Sequence, residues 1–132
     1  SWTDVEKAKQ TAIAQIESGV DFIYAAGDSI GTGIIAGCEK ENIPVIGYGK
    51  DLNELAPKNV ISTVNWNSGI SFGTILDKIQ DGSFKNTVYN ASLSDGAITL
   101  ADYHGLLSKD IQKKVEDVKK GIIDGKIKTE VK

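Results

Sequence analysis

Two tryptophans stand at matching places in this 132-residue chain. Trp66 lies in "VNWNSG" (64–69), where a hydrophobic run, Val60 to Val64, meets a helical pattern. Trp2 lies in "SWTD" (1–4), again just before a helical pattern. An indole face can stack on a flat ring, a contact of about 1–3 kcal/mol where nucleic-acid bases stack on aromatic side chains. Three strand ends, at "GDSIGTG" (27–33), "GYGKDL" (47–52) and "NWNSG" (65–69), supply Gly27, Asp28, Ser29, Gly49, Lys50, Asp51 and Asn65. Glycines let a ligand approach the backbone closely, and amides opening a helix can donate to an acceptor placed there. The candidate ligand-binding set is therefore Trp2, Gly27, Asp28, Ser29, Gly49, Lys50, Asp51, Asn65 and Trp66.

Groups for turnover are scarce. Asp28 and Asp51 could pair as carboxylates, but without metal-ligand spacing they read as hydrogen-bond acceptors or helix-start residues. His104 is the single histidine, in the glycine-containing loop "DYHGLL", and reads as a surface residue. No Ser-His-Asp or Cys-His arrangement has recognisable spacing. The expectation is binding without chemistry: no catalytic residue, no metal and no cofactor. "GTGIIAG" has the form G-x-G-x-x-x-G, one residue too long for the dinucleotide fingerprint, and it begins several residues after the strand ends. A nucleotide-dependent enzyme domain is thus the weaker alternative, and Gly33 and Gly37 are expected to let a helix pack closely on the sheet.

Each tryptophan could instead serve as a hydrophobic staple, packing on the fourth residue of its helix. With Thr3 as cap that residue is Lys7, and with Asn67 as cap it is Ser71. Neither is apolar, which favours ligand contact over stapling and leaves plain core or interface packing as the other reading.

Alternating elements must position these residues. Thr3-x-x-Glu6 has the form of a capping box, followed by Val5, Ala8, Ala12, Ile13 and Ile16 at helical spacing and a stop at Gly19. "VDFIYAAG" reads as a buried strand. Ser29 can cap a second helix with Ile30, Ile34, Ile35 and Cys38 on one face. "IPVIGYG" and "VISTVNW" read as further strands around the loop "KDLNELAPKN". Phe72, Ile75, Leu76 and Ile79 form an i, i+3, i+4, i+7 stripe ending at Asp81-Gly82. "NTVYNASL" and "AITLAD" are expected as strands about the turn Ser94-Asp95-Gly96. Ser108 opens a last helix with Ile111, Val115, Val118 and Ile122 on its buried face, and "GKIKTEV" is expected as a short edge strand. The alternation implies an α/β fold with a parallel sheet between helical layers. Ligands of such sheets sit at the carboxyl ends of the strands.

Composition agrees with a single soluble domain: 40% hydrophobic and 25% charged residues with a net charge of -3. No basic stripe points to nucleic acid. The lysines from Lys109 to Lys120 alternate with Asp110, Glu116 and Asp117 and read as a solvated face. No apolar run is long enough to span a membrane. Cys38 is alone and falls on an apolar helix face, as a small buried hydrophobe would. The chain begins at Ser1 and holds no methionine, so it reads as part of a longer protein or a processed form.

The ordered set "SW-x-D-x-x-KA", "GVDFI", the G-x-G helix start, "PVIGY", "ILDKIQDGSFKN", "SDGAITLADY" and "GIIDGKI" resembles the basic membrane protein (BMP) family over nearly the whole chain. These are solute-binding lipoproteins of ABC importers. The resemblance implies a type I periplasmic-binding-protein fold, here truncated. Residues 1–132 would be the C-terminal lobe, with about 67–81 belonging to the missing N-terminal lobe. The stripe on that helix must then find cover, by rearrangement or by pairing with a second copy into a homodimer. Family members bind purine nucleosides, with an aromatic residue at the position of Trp2 stacking on the base. The positions of the ribose-holding Asp and Lys fall on Gly49 and Trp66. Loss of both charges and gain of a flat surface point to a purine base or similar heterocycle. The resemblance further implies an ABC permease as partner, no nucleic acid, an extracytoplasmic location and membrane attachment through a lipid anchor outside this chain. A ligand sensor or regulator reusing the same fold is a further alternative.

Overall fold

The structure, a computed structural model, describes residues 2–129. Its elements are α1 (Val5–Glu17), β1 (Ile23–Tyr24), α2 (Ser29–Lys40), β2 (Val45–Gly49), a 3-10 turn (Asn53–Leu55), β3 (Val60–Trp66), α3 (Ser68–Gln80), β4 (Ile98–Leu100) and α4 (Lys109–Ile123). The strands lie in the order β1-β2-β3-β4. β1 pairs parallel with β2, and β2 parallel with β3.

The chain divides into two compact units, residues 1–65 with 100–108 and residues 66–99 with 109–132. It therefore crosses between units three times, after Asn65, Thr99 and Ser108.

In the first unit the core is built from Ala12 of α1, Ile35 and Cys38 of α2, Ile23, Ala25, Val45 and Val60 of the strand region, and Ala56. Ile35, Cys38, Val45 and Val60 are essentially inaccessible to solvent. Strand residues alternate between this core and the opposite face, as a pleated strand requires: Val45 and Gly47 are buried while Ile46 and Tyr48 are only partly so.

Several expectations are corrected. Asp4, not Thr3, caps α1, its Oδ1 accepting from the Lys7 amide at 3.0 Å. Aspartate is a strong cap residue, and placing it one residue later takes Glu6 out of capping-box register; Glu6 instead accepts from the Gln10 side chain at 3.3 Å. β1 is only two residues long, because the Ala26 amide turns back onto the Tyr24 carbonyl at 2.9 Å. Gly33 and Gly37 serve a helix-helix contact, not a helix-sheet one. A Cβ on Gly33 would strike the Val5 carbonyl oxygen of α1, and one on Gly37 would lie 3.0 Å from the Lys9 carbonyl oxygen.

In the second unit α3 spans the expected residues, yet none of them is buried. Ile70 and Ile75 face a groove shared with Tyr89 and Ala97, while Phe72, Leu76 and Ile79 point outward, Phe72 with 66% of its surface exposed. Residues 86–93 form no strand. There the Tyr89 ring stacks on Phe84 at 5.9 Å between centroids, and its hydroxyl both accepts from the Lys85 amide and donates to the Lys85 carbonyl. These contacts coil the segment on itself. The expected turn at 94–96 is present, with β4 directly after it. On α4, Val115 and Ile122 are half-buried but Ile111 and Val118 are exposed. Residues 125–129 are not a strand, because the amides of Lys126 and Ile127 both donate to the Gly121 carbonyl and close off α4; residues 130 and 131 of the expected edge strand lie outside the described residues.

Candidate functional site

Parallel pairing fixes where the candidate loops fall. Ile23 is opposite Val45, and Gly49 is opposite Asn65. The carboxyl ends of β1, β2 and β3 thus lie along one rim, where ligands of parallel sheets bind. At this rim Trp2, Ala26, Gly27, Asp28 and Tyr48 line an open groove of about 260 Å³.

Trp2 is 78% exposed, an unusual state for so large an apolar surface. With Asp4 as the cap, Trp2 stands two residues before it, outside the staple position. Gly27 is buried, and a Cβ there would come within 2.5 Å of Ile30 Cγ1, so the tight turn from β1 into α2 admits only glycine without adjustment. Asp28 occupies the cap position of α2 without a side-chain capping hydrogen bond. Its carboxylate is exposed on the groove wall beside the first amides of the helix, a place that favours negative charge. Ser29 begins α2, and its carbonyl accepts from the Thr32 hydroxyl at 2.8 Å.

Gly49 ends β2 with φ of +96°, a left-handed conformation natural to glycine. Lys50 and Asp51 follow on an exposed loop. Asp51 Oδ1 accepts from the Asn53 amide at 3.0 Å, while its Oδ2 lies 3.1 Å from His104 Nε2. Asn65 stands at the first crossing out of the first unit, and its Oδ1 is buried with no hydrogen-bond partner. A buried acceptor left unpaired is uncommon and costly, which marks Asn65 as a residue with capacity to spare.

Trp66 is the first residue of the second unit and is 54% exposed. It lines a groove of about 390 Å³ built from that unit's own residues, among them Ser71, Phe72, Tyr89 and Ile98. Asn67 caps α3 as expected, though without a side-chain capping bond. Trp2 and Trp66 therefore each line a groove of their own unit.

Two contacts at these loops were not legible in the sequence. Tyr48 shares the groove with Trp2, and its ring meets Tyr24 edge to face at 6.4 Å. Burial first, then the neighbouring Tyr48, raises the Tyr24 phenol above its ordinary range. Strand alternation in "IPVIGYG" places Tyr48 opposite the core face, beside the Gly49 turn, and that was the available signal. His104 gives the other: it is exposed, as expected, and its Nε2 lies 3.1 Å from Asp51 Oδ2. Among the described residues no cluster of His, Cys, Asp or Glu has the arrangement of a metal site, and no helix is long and apolar enough to cross a membrane.

The strand-end groove brings together an exposed indole, an exposed acidic side chain and one close-approach glycine on an α/β unit with a parallel-stranded sheet. The family model described as "ABC transporter substrate-binding protein PnrA-like" matches residues 1–132, and the chain belongs to this Bmp family. It is 29% identical to the "ABC transporter nucleoside-binding protein BmpA" of Lactococcus lactis, over 96% of this chain and 41% of that protein. It is 22% identical to the "Transcriptional activator protein med" of Bacillus subtilis, over 86% of this chain and 36% of that one. The chain thus spans well under half the length of these relatives. Among solved structures, a transcriptional activator of the comK gene from Bacillus halodurans superposes with a TM-score of 0.87 at 18% identity, covering 98% of this chain and 46% of that one. An ABC solute-binding protein from Aeropyrum pernix superposes with a TM-score of 0.78 at 18% identity, covering 95% and 44%. The fold is that of ABC solute-binding proteins, and the family is one of binding proteins, not enzymes.

Proposed function

We propose that this chain supplies most of the C-terminal lobe of a two-lobe ABC-importer receptor, and that it holds a purine base or similar flat heterocycle between the lobes. The observation that carries this reading is the groove of Trp2, Gly27, Asp28 and Tyr48 at the strand ends. Trp2 stacks on the ring, Asp28 accepts from ring or exocyclic N–H groups, and the Asn65 acceptor takes a further donor. Lys50, Asp51, Ser29 and Gly49 shape the rim. The nucleoside in the name of the Lactococcus lactis relative supports the ligand class. The preference for a base over a nucleoside rests on Gly49 and Trp66 standing where the family resemblance puts ribose-holding charges. Trp66 then closes the space of the sugar when the lobes come together, with α3 belonging to the opposite lobe. The division of the chain at Asn65–Trp66 supports that assignment. The receptor acts outside the cytoplasm, is held by a lipid anchor and delivers its ligand to a permease.

The Bacillus subtilis relative, named as a transcriptional activator, favours a second reading in which the same pocket serves a ligand sensor. Calorimetry on the full-length protein with adenine, guanine, adenosine and guanosine tests the ligand class. Bases binding more tightly than nucleosides is the expected result, and the reverse order overturns the preference. Tight ligand binding without association to any permease would favour the sensor.

A further inference from the structure

His104 lies 53 positions from Asp51 in sequence, yet its Nε2 is 3.1 Å from Asp51 Oδ2. The placement is built from both sides. His104 takes a left-handed backbone conformation with φ of 50°, uncommon for a residue with a side chain, and Gly105 continues it with φ of 76°. Asp102 Oδ1 accepts the His104 amide at 2.9 Å, and the Leu106 amide closes the turn on the Tyr103 carbonyl at 2.8 Å. Such conformations persist where the surroundings hold them, and they concentrate at functional loops. On the other side, Asp51 Oδ1 accepts the Asn53 amide, the Leu52 amide donates to Thr63 Oγ1 at 3.3 Å, and Asn53 Nδ2 donates to the Val60 carbonyl at 3.0 Å. The loop after β2 is therefore fastened to β3 by Leu52 and Asn53, and Asp51 ties it to residues 100–108.

That second fastening matters because of what residues 100–108 are. They are the stretch of the first unit that lies between two of the three crossings, after Thr99 and after Ser108. The contact ties the Lys50–Asp51 loop, which follows the groove residue Tyr48, to this segment of the first unit. We infer that His104 is a positioning residue: it holds the Lys50–Asp51 loop at the ligand rim and couples that loop to the crossing segment. The inference deepens the proposed ligand-binding role and rests on it. The other charged residues on the two segments are Lys50, Glu54 and Lys58 on the loop and Asp102 on residues 100–108. Asp102 orients the His104 backbone without competing for its ring.

Both side chains are partly exposed, 27% for His104 and 43% for Asp51. Exposed pairs of this kind shift equilibria by only about two- to fivefold. Two variants separate reach from backbone. His104→Asn keeps a residue that tolerates the left-handed conformation but is too short to meet Asp51. His104→Gln keeps a donor at the reach of Nε2. Amide hydrogen exchange at Leu52 and Asn53 is measured on the 132-residue chain, and adenine affinity by calorimetry on the full-length protein. In His104→Asn, exchange should be about two- to fivefold faster and adenine binding weaker by a similar factor, with the melting temperature unchanged. His104→Gln should restore both. Unchanged exchange in His104→Asn overturns the inference, as does faster exchange with unaltered adenine affinity. If the wild-type protein binds neither bases nor nucleosides, the ligand reading is what has failed, and the exchange result alone judges the clasp.

Discussion

Gly33 offers the sharpest test of how the two helices of the first unit meet. Replacing glycine by alanine inside a helix normally stabilises it by about 0.8–1.0 kcal/mol, since the unfolded chain loses freedom. At Gly33 a Cβ would strike the Val5 carbonyl oxygen and lie 3.0 Å from the Val5 carbonyl carbon and 3.1 Å from Val5 Cγ1. The obstacle is mainly backbone, so it cannot swing aside as a side chain would. Overpacking of this kind costs about 1–3 kcal/mol, and a backbone clash belongs at the upper end. Setting the gain against the cost, Gly33→Ala should destabilise by about 1–2 kcal/mol. Gly73 on α3 is the control, with nothing within 4 Å of its added Cβ. Gly73→Ala should therefore gain up to about 1 kcal/mol. Gly37→Ala, 3.0 Å from the Lys9 carbonyl oxygen and 3.1 Å from Ala12 Cβ, should fall between them. Urea unfolding followed by circular dichroism, compared at unchanged m-value, measures all three. A Gly33→Ala protein as stable as wild type, or more so, would refute the close approach of α2 to α1.

Two further outcomes follow from titrating groups. Cys38 is fully buried, and burial raises its thiol above the ordinary value of 9.0; a disulfide reagent at pH 8 should label it only as the protein unfolds, and rapid labelling of the native chain would contradict this. Asp95 accepts the amides of Ala97 at 2.9 Å and Ser92 at 3.1 Å, and these bonds hold its carboxyl below the ordinary 3.8. The folded state thus binds this proton more weakly than the unfolded one. Its stabilisation is fully present above pH 3.8 and is lost as pH falls through the lower folded value. Amide shifts of Ser92 and Ala97 should move only below pH 3.8, and a midpoint at or above it would contradict the assignment.

Strongly periodic or β-branched segments were readable in advance. β3 matches "VISTVNW" residue for residue and α3 lies within the expected 67–81, because a β-branched run and a four-residue apolar stripe each leave one period open. The family was equally legible, being carried by the order of many short motifs. What failed was decided by contacts that a linear pattern does not encode. Asp4 displaced Thr3 as cap because both are competent and only the backbone path chooses between them. Residues 86–93 have strand composition, but Tyr89 folds back on Phe84 and Lys85 within the segment. Gly33 and Gly37 announced a close approach without saying to what, and the partner is α1. Among the candidate residues, Trp2, Gly27 and Asp28 stand at element ends and line one groove. Tyr48 was overlooked although strand alternation places it off the core face beside the Gly49 turn, and the Asp51–His104 pair was hidden by its separation in sequence.

The central claim is that Trp2 faces the ligand. In full-length protein carrying Trp66→Phe, which removes the second indole of this chain, Trp2 emission is followed during titration with adenine, and affinity is measured in parallel for Trp2→Ala. Adenine should perturb the emission to saturation, and Trp2→Ala should lose about 1–3 kcal/mol of affinity, the worth of an aromatic stack. Adenine binding with undiminished affinity to Trp2→Ala would contradict the account.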